Sequence, residues 1–135
     1  MNQSVLLIED CEEWREMFLS RLLAVLPVGV DVVAPTTAAE TRQALAERQY
    51  AVLFLDESLG GEGWENLSSI WDLQEEVGRQ LEGGARAFCA SSDKMAYRQM
   101  VQYLNAEPSK AWSKRCLLKD TFDQERRQVL LPLLA

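Results

Sequence analysis

Four short apolar runs punctuate the chain, and each ends abruptly in polar residues. Val5-Leu6-Leu7-Ile8 stops at Glu9-Asp10, and Ala51-Val52-Leu53-Phe54-Leu55 at Asp56. Ala87-Phe88-Cys89-Ala90 stops at Ser91-Ser92, and Cys116-Leu117-Leu118 at Lys119. Runs this short, without polar alternation, predict strands buried on both faces. Between them the apolar positions take helical spacing. Trp14, Met17, Phe18, Leu22, Val25 and Leu26 predict a first helix, closed by Pro27-Val28-Gly29. Val30 to Ala34 reads as a short second strand. Thr37-Ala38-Ala39-Glu40 predicts a capping box, the Thr hydroxyl and Glu carboxylate satisfying first-turn amides. The helix behind it runs to about Gln49, with Ala38, Thr41, Ala44 and Leu45 facing inward.

After Asp56, the stretch Glu57-Ser58-Leu59-Gly60-Gly61-Glu62-Gly63 has the glycine content of a loop. Trp64, Leu67, Ile70, Trp71, Val77 and Leu81 predict one long amphipathic helix, stopped by Gly83-Gly84. A strand over about 85–90 follows, then a helix capped by Ser92 or Asp93 and carrying Ala96, Tyr97, Met100, Val101 and Leu104. Asn105 to Ser113, with Pro108, is the longest irregular connection and leads to a short strand over about 115–118. Thr121-Phe122-Asp123-Gln124 offers a second capping box for a last helix, which Pro132 ends or kinks. Five β-α units in succession predict an α/β fold. Its core is a doubly wound five-stranded parallel sheet of order 2-1-3-4-5, flanked by five helices with right-handed crossovers. Ligands of such sheets bind at the carboxyl ends of strands 1 and 3, so Glu9, Asp10 and Asp56 are expected to be neighbours.

Composition narrows the classes. The 135 residues suit a single domain, 1–135, with no effector domain, and 47% hydrophobic with 26% charged residues is globular composition. A net charge of −7 opposes direct binding to nucleic acid or to an anionic membrane. Lys110, Lys114, Arg115, Lys119, Arg126 and Arg127 do cluster late in the chain, where they read as a solvated face. No apolar run approaches the roughly 18 residues that span a bilayer, and no signal peptide precedes the first strand. Cys11, Cys89 and Cys116, odd in number and widely spaced, suit a reduced, cytoplasmic setting. The chain has no histidine, which excludes imidazole-bound zinc and Ser-His or Cys-His nucleophile pairs.

The polar residues at the strand ends support a different chemistry. Three carboxylates packed together repel one another unless a cation neutralises them. Magnesium, hard and oxygen-seeking, suits such a set and leaves positions for phosphate oxygens. In-line attack of a carboxylate on a phosphoryl group needs mainly positioning and charge neutralisation, and Asp is a nucleophile of this kind. Lys119 would pair with one phosphoryl oxygen and Ser91 would hydrogen-bond another. Taken singly, each has a plainer reading: Glu9-Asp10 as an exposed turn, Ser91 as a helix cap, Lys119 as a surface lysine. Their succession at four strand ends is what points to a site.

With these residues in view, the chain resembles the receiver domains of two-component response regulators over essentially its whole length. Val5-Leu6-Leu7-Ile8-Glu9-Asp10 is similar to that family's first strand and metal-binding acidic pair. Leu53-Phe54-Leu55-Asp56 is similar to its phosphoacceptor strand, Ala90-Ser91-Ser92 to its Thr/Ser-Ala step, and Leu117-Leu118-Lys119 to its invariant lysine. The resemblance implies that Asp56 is phosphorylated and that Glu9 and Asp10 hold Mg2+ with it. It also implies that the Ser58 backbone carbonyl completes the protein ligands, and that Ser91 and Lys119 bind the phosphoryl group. The implied partners are a sensor histidine kinase or phosphotransfer protein and a downstream protein target. A homodimer through the last two β-α units, near Tyr103 and Trp112, is compatible with it. Enzymatic activity would be limited to self-phosphorylation and self-dephosphorylation at Asp56.

Three departures bear on signalling. Asp120 stands where the family keeps a proline in a cis bond, Cys116 where it keeps an aromatic switch, and Leu59-Gly60-Gly61 where Leu-Pro is commoner. These leave a second reading open, a pseudo-receiver that acts as a phosphorylation-independent protein-interaction module. A magnesium-dependent phosphatase or phosphotransferase is a third. It usually needs a second acid two residues after the first, and Ser58 occupies that place after Asp56.

Overall fold

A computed structural model describes residues 3–26, 28–56, 59–67, 70–91 and 117–118. The elements are β1 (Ser4–Ile8), α1 (Glu12–Val25), β2 (Asp31–Val33), α2 (Ala38–Glu47), β3 (Val52–Leu55), a 3-10 turn (Ile70–Leu73), α3 (Gln74–Glu82), β4 (Arg86–Ser91) and β5 (Leu117–Leu118). The strands lie in the order β2-β1-β3-β4-β5, every pair parallel, which is the expected doubly wound order. The two helices expected after β4 lie outside the described residues.

Alternation along the strands splits the core in two. Val5 and Leu7 of β1, with Val52 and Phe54 of β3, pack under Phe18 and Leu22 of α1. Leu6 and Ile8, with Leu53 and Leu55, face the opposite way, toward Leu45 of α2 and Leu73, Val77 and Leu81 around α3. Successive side chains of a strand point to opposite faces, so a strand covered on both sides is apolar at every position. All of β1 and β3 is buried accordingly.

Helix α2 forms as its pattern predicts, with Ala38, Thr41, Ala44 and Leu45 buried. Its cap differs in one detail. Thr37 Oγ1 accepts from Glu40 N–H at 3.1 Å, but the Glu40 carboxylate turns past Thr37 to Thr36, accepting from its N–H and its hydroxyl at 2.9 Å each. Those bonds hold the Glu40 carboxyl below its ordinary pKa, the backbone bond from Thr36 contributing most.

The long helix expected from Trp64 onward is a correction. Trp64 to Leu67 is a turn, with Leu67 N–H donating to Trp64 O at 3.0 Å, and regular helix begins only at Gln74. Trp64, Leu67 and Ile70 are buried, but as anchors that tie a loop to the core. Helical spacing of apolar groups and periodic anchoring of a loop give the same sequence pattern. The hydrogen bonding distinguishes them: Leu67 N–H closes on Trp64 O, three residues back, and not on a residue four back as in an α-helix.

At the end of the sheet where the strands begin, Gln80 of α3 staples three elements. It is 4% exposed, and its Nε2 donates to Leu45 O and Arg48 O at 2.9 and 2.7 Å. Its Oε1 accepts from Tyr50 N–H at 2.9 Å. The start of β3 is thereby pinned to the end of α2 and to α3.

Candidate functional site

β1 and β3 are adjacent, with Ile8 opposite Leu55, and Asp56 N–H continues the ladder to Ile8 O at 3.1 Å. The next residues, Glu9 and Asp56, therefore leave the sheet side by side, at the spacing of neighbouring strands, about 4.8 Å. Both are nearly enclosed, at 1% and 6% exposure, and Asp10 is half-buried beside them. One carboxylate oxygen from each of Glu9, Asp10 and Asp56 lies within 4.8 Å of the other two. The neighbourhood expected of these three acids is present.

The loops around this cluster hold it in shape. Arg15, in the first turns of α1, is 9% exposed and directs Nη1 back to Glu9 O at 3.1 Å and Asp10 O at 3.4 Å. A guanidinium has donors in a fixed fork, so it ties two consecutive carbonyls to the helix. From the other side, Gly61 N–H donates to Asp10 Oδ2 at 3.0 Å. The glycine loop is braced in turn: Trp64 N–H donates to Gly61 O at 2.8 Å, and Ala38 N–H at the start of α2 donates to Gly63 O at 3.0 Å. Asp10, Glu12, Arg15, Thr36 and Glu62 line an open cleft of about 470 Å³ next to the cluster.

Three oxygen donors of this kind fit a magnesium ion. Ligand oxygens at about 2.1 Å from an octahedral centre stand roughly 3 to 4 Å apart, so the 4.8 Å grouping closes on such an ion with small side-chain adjustments. Nothing soft is among the donors, which disfavours thiolate-loving metals.

Of the other residues singled out in the sequence, Ser91 is the last residue of β4, paired with Leu118, and not the first residue beyond the strand. Ser58, Lys119, Asp120 and Cys116 lie outside the described residues. Arg15 and Gly61 were not singled out by sequence reasoning. Two adjacent glycines behind a strand-end acid were the available signal for the second; for Arg15 there was only its place one turn into a helix.

No protein-family model and no curated protein sequence matches the chain. Solved structures are similar to it in fold. The response regulator TrrA from Thermotoga maritima, in complex with Mg2+ and BeF, superimposes with a TM-score of 0.65 at 17% identity, over 94% of this chain and 96% of that one. TrrA is also known in complex with the histidine kinase ThkA. A LuxR-family two-component response regulator from an Aurantimonas species superimposes with a TM-score of 0.67 at 20% identity, over 99% and 86% of the two chains. The receiver domain of a sensor histidine kinase from Pseudomonas aeruginosa PAO1, with magnesium in its active-site cleft, gives 0.63 at 13% identity, over 99% and 98%. The chain has the fold of response regulator receiver domains.

Proposed function

We propose that this chain is a phosphoacceptor receiver of a two-component phosphorelay, with Asp56 as the residue phosphorylated. The observation that carries this reading is the convergence of Glu9, Asp10 and Asp56 at the carboxyl ends of β1 and β3 in this fold. Glu9, Asp10, Asp56 and the Ser58 carbonyl would hold Mg2+. That ion would supply charge neutralisation for the incoming phosphoryl oxygens and leave the rest to positioning. An Asp56 carboxylate oxygen would attack phosphorus in line. The bond from phosphorus to the donor's leaving atom breaks, and an aspartyl-phosphate remains. Lys119 and Ser91 would bind the transferred group, and its added charge would bias the interactions of nearby loops.

The donor would be a sensor histidine kinase or a phosphotransfer protein in the cytoplasm, a reading supported by the TrrA complex with a kinase. The readout would be a change in protein-protein contact. The pseudo-receiver reading draws on Asp120 and Cys116 at the places of the family's cis-proline and aromatic switch.

Incubation with MgCl2 and acetyl phosphate, followed by intact-mass measurement, tests the proposal. One added phosphoryl group, lost in Asp56→Asn and kept in Asp120→Asn, is the expected result. An unmodified chain that binds no magnesium would leave the interaction module as the better reading, and steady hydrolysis of diverse phosphate esters would indicate an enzyme.

A further inference from the structure

A single backbone amide sets the rotation of the Asp10 carboxylate. Gly61 N–H meets Oδ2 at 3.0 Å, and the loop that carries this amide is braced at Gly61 O and at Gly63 O. On one side Trp64, its side chain fully buried, closes on Gly61 O. On the other, the first amide of α2 closes on Gly63 O. Glycine is what permits so close an approach. A Cβ at position 61 would stand 3.2 Å from Asp10 Oδ2 and 3.9 Å from its Cγ, so the carboxylate or the loop would have to give way. Gly61 is not among the glycines with positive φ, so a side chain there would press on Asp10 without straining its own backbone.

We infer that Gly61 is a specificity-determining residue for the cation at the acidic cluster: by engaging Oδ2 it holds Asp10 to a one-oxygen grip, which favours magnesium over calcium. This rests on the magnesium-dependent receiver function proposed above and deepens it. Magnesium demands near-octahedral ligands at about 2.0–2.1 Å and is held through single carboxylate oxygens. Calcium takes about six to eight ligands at about 2.3–2.6 Å and readily accepts both oxygens of one carboxylate. A two-oxygen grip by Asp10 would require its Oδ2 to turn away from the amide. The braced loop cannot follow that turn. Gly61 acts through Asp10 and not on the ion, as a partner that orients a ligand from outside the coordination sphere.

Isothermal titration of the full chain with MgCl2 and, separately, CaCl2 tests this in the wild type and in Gly61→Ala. The wild type should bind magnesium more tightly than calcium. In Gly61→Ala the magnesium-to-calcium affinity ratio should fall about tenfold, the lower end of what loss of an orienting partner costs a metal site. A wild type that binds magnesium, together with an unchanged ratio in a folded Gly61→Ala, overturns the inference and leaves the receiver function standing. A wild type that binds neither ion overturns both. Should Gly61→Ala fail to fold, the wild-type amide decides: Gly61 N–H should resist hydrogen exchange with magnesium bound, and rapid exchange in that state overturns the inference.

Discussion

Arg15 Nη1 and the carbonyl oxygen of Glu9 are 3.1 Å apart, a cation bonded to the main chain of the acidic pair. The guanidinium thus fixes where the β1–α1 connection runs. Removing it strips partners from two carbonyls, one of them buried. Arg15→Met should cost about 1.5–3 kcal/mol, the range for hydrogen bonds made by charged groups, as read by urea denaturation. Arg15→Lys should recover part of that loss, since an ammonium is a point donor without the planar fork.

Gln80 offers a sharper stability test. Its side chain satisfies two carbonyls and one amide at the meeting of α2, α3 and β3. Gln80→Leu keeps much of the volume and none of the bonds. It should lower stability by about 1–3 kcal/mol or more, because the groups left behind stay desolvated. The disturbance should appear as faster amide exchange at Tyr50, with the acidic cluster at the other end of the strands unaffected.

The Glu40 carboxyl predicts a pH dependence. Its pKa in the folded chain lies below the ordinary value of 4.5 because Thr36 donates to its charged form, the backbone bond first and the hydroxyl second. A depressed folded pKa means stabilisation that is fully present above the unfolded value and lost as pH falls through the folded one. The difference in melting temperature between wild type and Glu40→Gln should therefore be constant from neutral pH down to about 5 and shrink below the ordinary glutamate pKa. A difference that grew on acidification would contradict the assignment.

Magnesium should stabilise the chain if the proposed site holds it. At a hundred times its dissociation constant, a ligand that binds only the folded state adds about 2.7 kcal/mol. Thermal melts should rise with MgCl2 and return to baseline with EDTA. Asp56→Asn should reduce the increment by removing one of the converging charges.

The strands and the acidic cluster were readable because both depend on one-dimensional patterns. A strand buried on both faces has no polar residue until it surfaces, so β1 and β3 announced their own ends at Glu9 and Asp56. Parallel order then made neighbours of residues 47 positions apart. The helix expected from Trp64 failed for the converse reason. Apolar groups at 64, 67 and 70 are spaced like a helix face, but Leu67 N–H closes a turn on Trp64 O behind a loop held at Gly61 O and Gly63 O. Arg15 and Gln80 work by hydrogen bonds to backbone groups and Gly61 by its own backbone amide, and backbone groups carry no residue-specific signal. Glu40 lies in the expected box, but its carboxylate accepts from Thr36 and not from Thr37.

The split core has a consequence for how such a chain can change over time. The sheet is a partition: Phe54 and Leu55 are consecutive residues that fall, among the described residues, into separate core clusters on its two faces. The layer beneath α1 can be refilled, or its outer face recut for a new partner, without disturbing the layer beneath α2 and α3. Both layers end at the same rim, where β1 and β3 release Glu9 and Asp56. The interior can therefore drift in two independent halves, while that rim answers to both.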